Sequence, residues 1–171
     1  MILIESDVSE EWDSSCSWEE LAETAVRAAV SASDWADLTG APLSVEVSVK
    51  FSTDEEVRAL NASWRGKDKP TNVLSFPMIE ADLLESIARA DQGEVLLGDI
   101  VLAHGVCARE AKEKGIAMRD HASHLVVHGT LHLLGYDHEE SDNEADAMEE
   151  VERRALAGLN IADPYYTEIR S

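Results

Sequence analysis

The sequence predicts an α+β fold: a small mixed β-sheet of about four strands, packed with about five helices and carrying a zincin-like metal site. Three stretches support that expectation. Leu43-Ser44-Val45-Glu46-Val47-Ser48-Val49-Lys50-Phe51 alternates strictly between apolar and polar residues, the pattern of a half-buried strand. Leu21, Ala25, Ala28, Ala29 and Ala32 recur at helical spacing between Trp18 and Trp35. His128 and His132 stand four residues apart in an apolar run that ends at Gly135.

Taken in order, residues 2–4 form a short opening strand. Ser17 is placed to cap the alanine-rich helix that follows. After the alternating strand, Ser52-Thr53-Asp54-Glu55-Glu56 opens a helix through Val57 and Leu60 towards Trp64, with acids in the first turn, where the helix dipole favours them. Residues 72–76 make another short strand, which Pro77 ends. Residues 80–94 are expected to be a long, mobile excursion with a helical turn around 83–88. Residues 98–103 give a further strand. Three helices complete the chain: residues 106–114 before Gly115, residues 119–134 with the histidines, and the acidic stretch 139–156. The last residues, including Pro164, read as a loosely held tail.

The 171 residues suit one domain, 1–171, with the acidic amino-terminal segment and the carboxy-terminal tail peripheral to it. No stretch has the apolar length needed to cross a bilayer, and Met1-Ile2-Leu3-Ile4-Glu5-Ser6-Asp7 lacks the basic start of a signal peptide. A cytoplasmic protein without membrane partners is expected. Cys16 and Cys107 read as reduced thiols without a function. The net charge of −21 excludes broad affinity for nucleic acid, and DNA is not an expected partner. Basic residues nonetheless gather at Arg58, Arg65, Lys67 and Lys69, and again at Arg109, Lys112, Lys114 and Arg119. The second group is read as an ordinary solvated face.

Four of the six histidines, His121, His124, His128 and His132, step along one face of a helix. Gly135 lies three residues after His132, where a left-handed residue can end the helix and turn the chain back. That turn delivers His138, so His128, His132 and His138 are the expected metal ligands. Three imidazoles leave a fourth tetrahedral position of one Zn2+ ion open, as in catalytic sites, although another divalent metal is an alternative. Such an ion lowers the pKa of bound water towards about 7 and polarises a phosphoryl or carbonyl oxygen. His124 is read as a support for the ligands or a core residue, His121 as capping or solvent-facing, and His104 as structural on a strand. Asp137 is placed to orient a ligand imidazole. The spacing matches the peptidase motif H-E-x-x-H-x-x-G-x-x-H, but Gly129 stands where that motif has its general-base glutamate.

The loop Asn61-Ala62-Ser63-Trp64-Arg65-Gly66-Lys67-Asp68-Lys69-Pro70-Thr71-Asn72-Val73-Leu74-Ser75-Phe76 presents Arg65, a permanent cation with planar donors suited to phosphate oxygens. By composition alone it is a basic loop between a helix and a strand. Followed by Leu97-Gly98-Asp99-Ile100 and then by residues 124–138, it resembles the bacterial YbeY family of metal-dependent endoribonucleases and ribosomal RNA maturation factors. The resemblance covers most of residues 40–140. It implies a zinc ion on His128, His132 and His138, a required Arg65, and single-stranded RNA as substrate, with Lys67 and Lys69 as candidate substrate-binding cations. It further implies a role at the 3′ end of small-subunit ribosomal RNA and in ribosome quality control, with the small subunit as partner. Asn72 departs from the family, which often has aspartate there. Two other readings compete: an assembly factor with a structural zinc, and, more remotely, a zinc peptidase.

Overall fold

A computed structural model describes residues 1–137 and 141–164. Its four strands are β1 (Ile2–Val8), β2 (Ser44–Ser52), β3 (Val73–Pro77) and β4 (Glu94–Ala103), in the spatial order β1-β2-β4-β3. β2 runs parallel to both β1 and β4, whereas β3 is antiparallel to β4 and forms an edge. The alternation in β2 behaves as its pattern requires. Val45, Val47, Val49 and Phe51 are fully buried, and the polar residues between them are half-buried.

β4 begins four residues earlier than its apolar pattern suggests. Its first residues pair with the start of β2, and a register irregularity between Glu46 and Val47 absorbs the mismatch. From Ile100 to Ala103 every side chain is buried. A central strand covered on both faces reads as an apolar run rather than an alternation.

Six α-helices are described: α1 (Trp18–Ala32), α2 (Asp54–Arg65), α3 (Leu84–Ala88), α4 (His104–Lys114), α5 (Met118–Leu133) and α6 (Asp142–Gly158). Ser17, Thr53 and Ser141 cap α1, α2 and α6 by accepting the backbone N–H three residues on. α1, α5 and α6 pack together. The small residues Ala22, Ala25 and Ala29 of α1 share one core with Val126 of α5, Leu156 of α6, and Val47 and Phe51 of β2. α2 covers the opposite face through Val57, packed with Leu74 and Val101. No helix among the described residues is long and apolar enough to cross a membrane.

Three expectations are corrected. The amino-terminal segment is not peripheral at its tryptophans: Trp12 and Trp18 are buried against Phe51, while Glu10, Glu11 and Asp13 stay exposed. Alanine-rich α1 is too thin to fill the core alone, and these rings complete it. Residues 80–94 are anchored rather than loose, because α3 drives Leu84 into the core. His104 opens α4 instead of lying on a strand, with its ring 5.2 Å from Trp12 in an edge contact. The final segment 165–171 lies outside the described residues.

Candidate metal centre

α5 lies beside the free edge strand β3, and the two line a cleft of about 630 Å³. Its lining includes His124, His128 and His132 from α5, Arg65 from the end of α2, and Lys114 from the end of α4. His128 and His132, one helical turn apart, bring their Nε2 atoms within 3.0 Å of each other. Their other ring nitrogens are committed. His128 Nδ1 donates to Glu152 Oε1 (3.1 Å), and His132 Nδ1 donates to the Tyr136 carbonyl (3.0 Å). A carboxylate and a carbonyl only accept, so both neutral rings must carry their proton on Nδ1.

Both Nε2 lone pairs therefore face one another, a repulsive arrangement that a shared cation turns into an attractive one. Two nitrogens at about 2.0–2.1 Å from a tetrahedral zinc stand about 3.3 Å apart, close to the separation found. The donor chemistry fits a metal. His124, His128 and Glu152 also bring ligand atoms within 4.8 Å of one another, a group of two histidines and a carboxylate that could hold a metal ion.

Glu152 is the functional residue that the sequence reading passed over. Its side chain is 1% exposed, and it accepts from His124 Nε2 at 2.7 Å as well as from His128. Burial by itself raises the carboxyl's pKa, but the hydrogen bonds from His124 and His128 outweigh it and hold the group down to about 2. The signal was legible in α6. Met148, Val151, Ala155 and Leu156 define its buried face, and Glu152 sits on that face rather than with the exposed acids. A charge on an apolar stripe calls for a partner. His124, read as a support or a core residue, supports the site through this carboxylate.

The chain turns as Gly135 predicts. α5 ends at Leu133, and Gly135 adopts φ +93 while its N–H bonds the His132 carbonyl. A Cβ on Gly135 would also stand 2.7 Å from Ala81 Cβ. Gly135→Ala should cost about 1–3 kcal/mol in backbone strain alone and lower Tm by roughly 3–10 °C. An unchanged Tm in calorimetry would remove the conformational account of this turn. Asp137 lines the cleft just beyond it. His138 itself lies outside the described residues.

At Gly129, where the peptidase motif places its glutamate, a Cβ would approach Ile100 Cγ2 to 3.0 Å. A side chain there would require the Ile100 side chain on β4 to give by a few tenths of an ångström.

The Arg65 loop is stapled from beneath. Gly66 ends α2 in the left-handed conformation, and the Lys67 N–H bonds the Asn61 carbonyl (3.2 Å). The buried Asn61 amide donates to the Lys69 carbonyl at 2.8 Å. Arg65, Lys67 and Lys69 are exposed and form no ion pair among the described residues, whereas Arg58 is held by Asp68 at 2.8 and 3.2 Å. Arg65 lines the cleft; Lys67 and Lys69 are not among its lining.

His121 is neither a cap nor solvent-facing. It is 1% exposed and bonds Glu110 Oε1 at 2.8 Å, and burial lowers its pKa. The same Glu110 oxygen accepts from the Asn72 amide at 3.0 Å. Asparagine at position 72 thus donates to a carboxylate that an aspartate there would repel. From the second basic group, Lys114 lines the cleft and Arg109 approaches Asp54 at 3.6 Å. That group is not simply a solvated face. Cys107 is inert: burial first, then neighbouring acids, push its thiol up to about 12.

An α+β protein with a histidine-built candidate metal centre in a cleft that Arg65 and Lys114 help to line is the class that fold and site define. A family model described as Endoribonuclease YbeY matches residues 6–160, and the chain belongs to the endoribonuclease YbeY family. An Endoribonuclease YbeY from Rhizorhabdus wittichii is 55% identical over 165 residues, covering 96% of this chain and 97% of its own. Another, from Zymomonas mobilis, is 53% identical over 165 residues, covering 96% and 93%. Among solved structures, a Thermotoga maritima protein studied in solution superposes with a TM-score of 0.53 at 25% identity, across 96% of this chain and 99% of that one.

Proposed function

We propose that this protein is a zinc-dependent endoribonuclease that cuts single-stranded RNA and matures the 3′ end of small-subunit ribosomal RNA in ribosome quality control. The facing Nε2 atoms of His128 and His132 at 3.0 Å carry the reading, because their protons are committed elsewhere. Membership of an endoribonuclease family supplies the reaction class. His128 and His132, with His138 from beyond the Gly135 turn, would hold the ion. When bound, zinc supplies a Lewis acid for a phosphoryl oxygen and an acidified water.

The chain's own residues do the rest. Glu152 and the Tyr136 carbonyl fix the ligand rings in one tautomer and one orientation. Arg65 directs its guanidinium fork at the phosphoryl oxygens, where negative charge grows in the transition state. Lys67 and Lys69 bind flanking phosphates electrostatically. The ribosomal small subunit is the partner and the cytoplasm the compartment in this reading. Arg65→Glu should lower cleavage by roughly 10²–10³-fold, as loss of a charge-stabilising donor does elsewhere. Cells with only that variant should accumulate small-subunit ribosomal RNA with unprocessed 3′ ends. Normal ends would remove Arg65 from the reaction.

One observation favours a second reading. His124 and Glu152 lie close enough to His128 to act as ligands themselves, and so to close the coordination shell. A closed ion would be structural, and the protein an assembly factor. X-ray absorption of the zinc-loaded protein separates the two: three protein ligands plus a water-type oxygen fit the nuclease, four protein ligands the assembly factor. The peptidase reading gains nothing, since glycine stands at position 129 where that motif has its base.

A further inference from the structure

Of the four tryptophans, Trp12 and Trp18 are buried and Trp35 is half-buried, while Trp64 is 72% exposed. A lone exposed apolar residue is ordinary on a protein surface. Trp64 is different because of its neighbours. The Phe76 ring from β3 stands against it, with centroids 6.1 Å apart and planes tilted by 60°. That contact braces the indole on one side and leaves most of its surface to solvent.

The next residue is Arg65, and Lys67 and Lys69 follow in a loop held by Asn61. These three cations form no ion pair among the described residues, although the chain carries a net charge of −21. An open aromatic ring beside unpaired cations is the composition that binds single-stranded nucleic acid: bases stack on the ring while cations hold phosphates. Arg65 is the link from the platform to the candidate centre, since Trp64 and Phe76 are not in the cleft lining and Phe76 packs on the α2 side of β3. Ser75 and Pro77, which flank Phe76 in β3, line the cleft that holds His128 and His132, as does Arg65.

We propose that Trp64, braced by Phe76, is a stacking platform for one unpaired nucleobase of an RNA strand whose adjacent phosphates lie on Arg65, Lys67 and Lys69. The proposal rests on the endoribonuclease reading and adds to it how the strand is gripped outside the reacting bond. Stacking suits every base, so this grip selects single strands over duplexes without selecting a sequence. In a duplex the base faces are already stacked on one another.

The test uses the zinc-loaded full-length protein and a short, labelled, unstructured RNA, with binding read by stopped-flow anisotropy before cleavage proceeds. Trp64→Ala should weaken binding by roughly 5- to 150-fold, the loss expected for one stacked base. Trp64→Phe should retain most of the affinity. The dependence of affinity on salt should be the same in Trp64→Ala as in the wild type, since no charge is removed. On a strand lacking its bases, wild type and Trp64→Ala should bind alike.

Equal binding of RNA by wild type and Trp64→Ala would overturn the proposal, as would an equal loss on RNA and on the base-free strand. Should Trp64→Ala fail to fold, the wild type alone decides: affinity for the base-free strand equal to that for RNA overturns it. Absence of any single-strand binding by the wild type would overturn the endoribonuclease reading, and this inference with it.

Discussion

Replacement of His132 by alanine is expected to abolish retained zinc and RNA cleavage together. The Nε2 of this residue is half of the facing pair, 3.0 Å from the Nε2 of His128. Loss of the imidazole also strips the Tyr136 carbonyl of the donor that holds the chain beyond the Gly135 turn. The helix itself should survive, because alanine is the best helix former and α5 buries Leu125, Val126 and Leu131 without the histidine. Circular dichroism of wild-type strength with less than one tenth of the zinc after dialysis is the expected result. Undiminished cleavage by the zinc-free variant would sink the catalytic role of the ion.

Glu152 should show the second large effect, and on two observables. Glu152→Gln preserves shape but removes the charge facing both histidines, and since its amide accepts through only one atom, one of the two also loses its acceptor. Zinc affinity should fall by about 10- to 100-fold, the usual cost of removing a residue that orients a ligand. Glu152→Ala removes the acceptor of the His124 and His128 donors and should cost about 1–3 kcal/mol of stability. Metal competition titrations and calorimetry read the two effects separately. The carboxyl's folded pKa of about 2 lies below its ordinary value of 4.5, so its contribution is present above the ordinary value. That contribution fades as pH falls from about 4.5 towards 2. Wild-type affinity in Glu152→Gln would show that the carboxylate serves packing alone.

Much of this was legible in the residue pattern, for physical reasons that also mark where legibility stopped. Strict alternation exposed β2, because one face of it is buried and the other only half covered. Capping chemistry at Ser17 located the start of α1, and the acids of the first turn placed that of α2 within two residues. The turn at Gly135 was readable because a left-handed conformation at a helix end favours glycine.

Other features depend on contacts distant in sequence. The first residues of β4 pair with residues of β2 about fifty positions away, and nothing local announces that pairing. His121 looked terminal on its helix, yet Glu110 from α4 and the packing above it make it buried. Glu152 looked like one more acid in an acidic stretch until its place on the apolar face of α6 was considered. Net charge was similarly misleading, since −21 describes the whole chain and not the cleft lined by Arg65 and Lys114.

The central claim, that a zinc ion on the histidines of this cleft cuts RNA, is tested most directly by stepwise reconstitution. Protein stripped of metal by a chelator is titrated with zinc while cleavage of a single-stranded RNA is followed in the same samples. Cleavage absent at the start, rising with zinc and reaching a plateau near one ion per chain is the predicted result. Full cleavage by the verified zinc-free protein, or zinc uptake with no gain in cleavage, would contradict it.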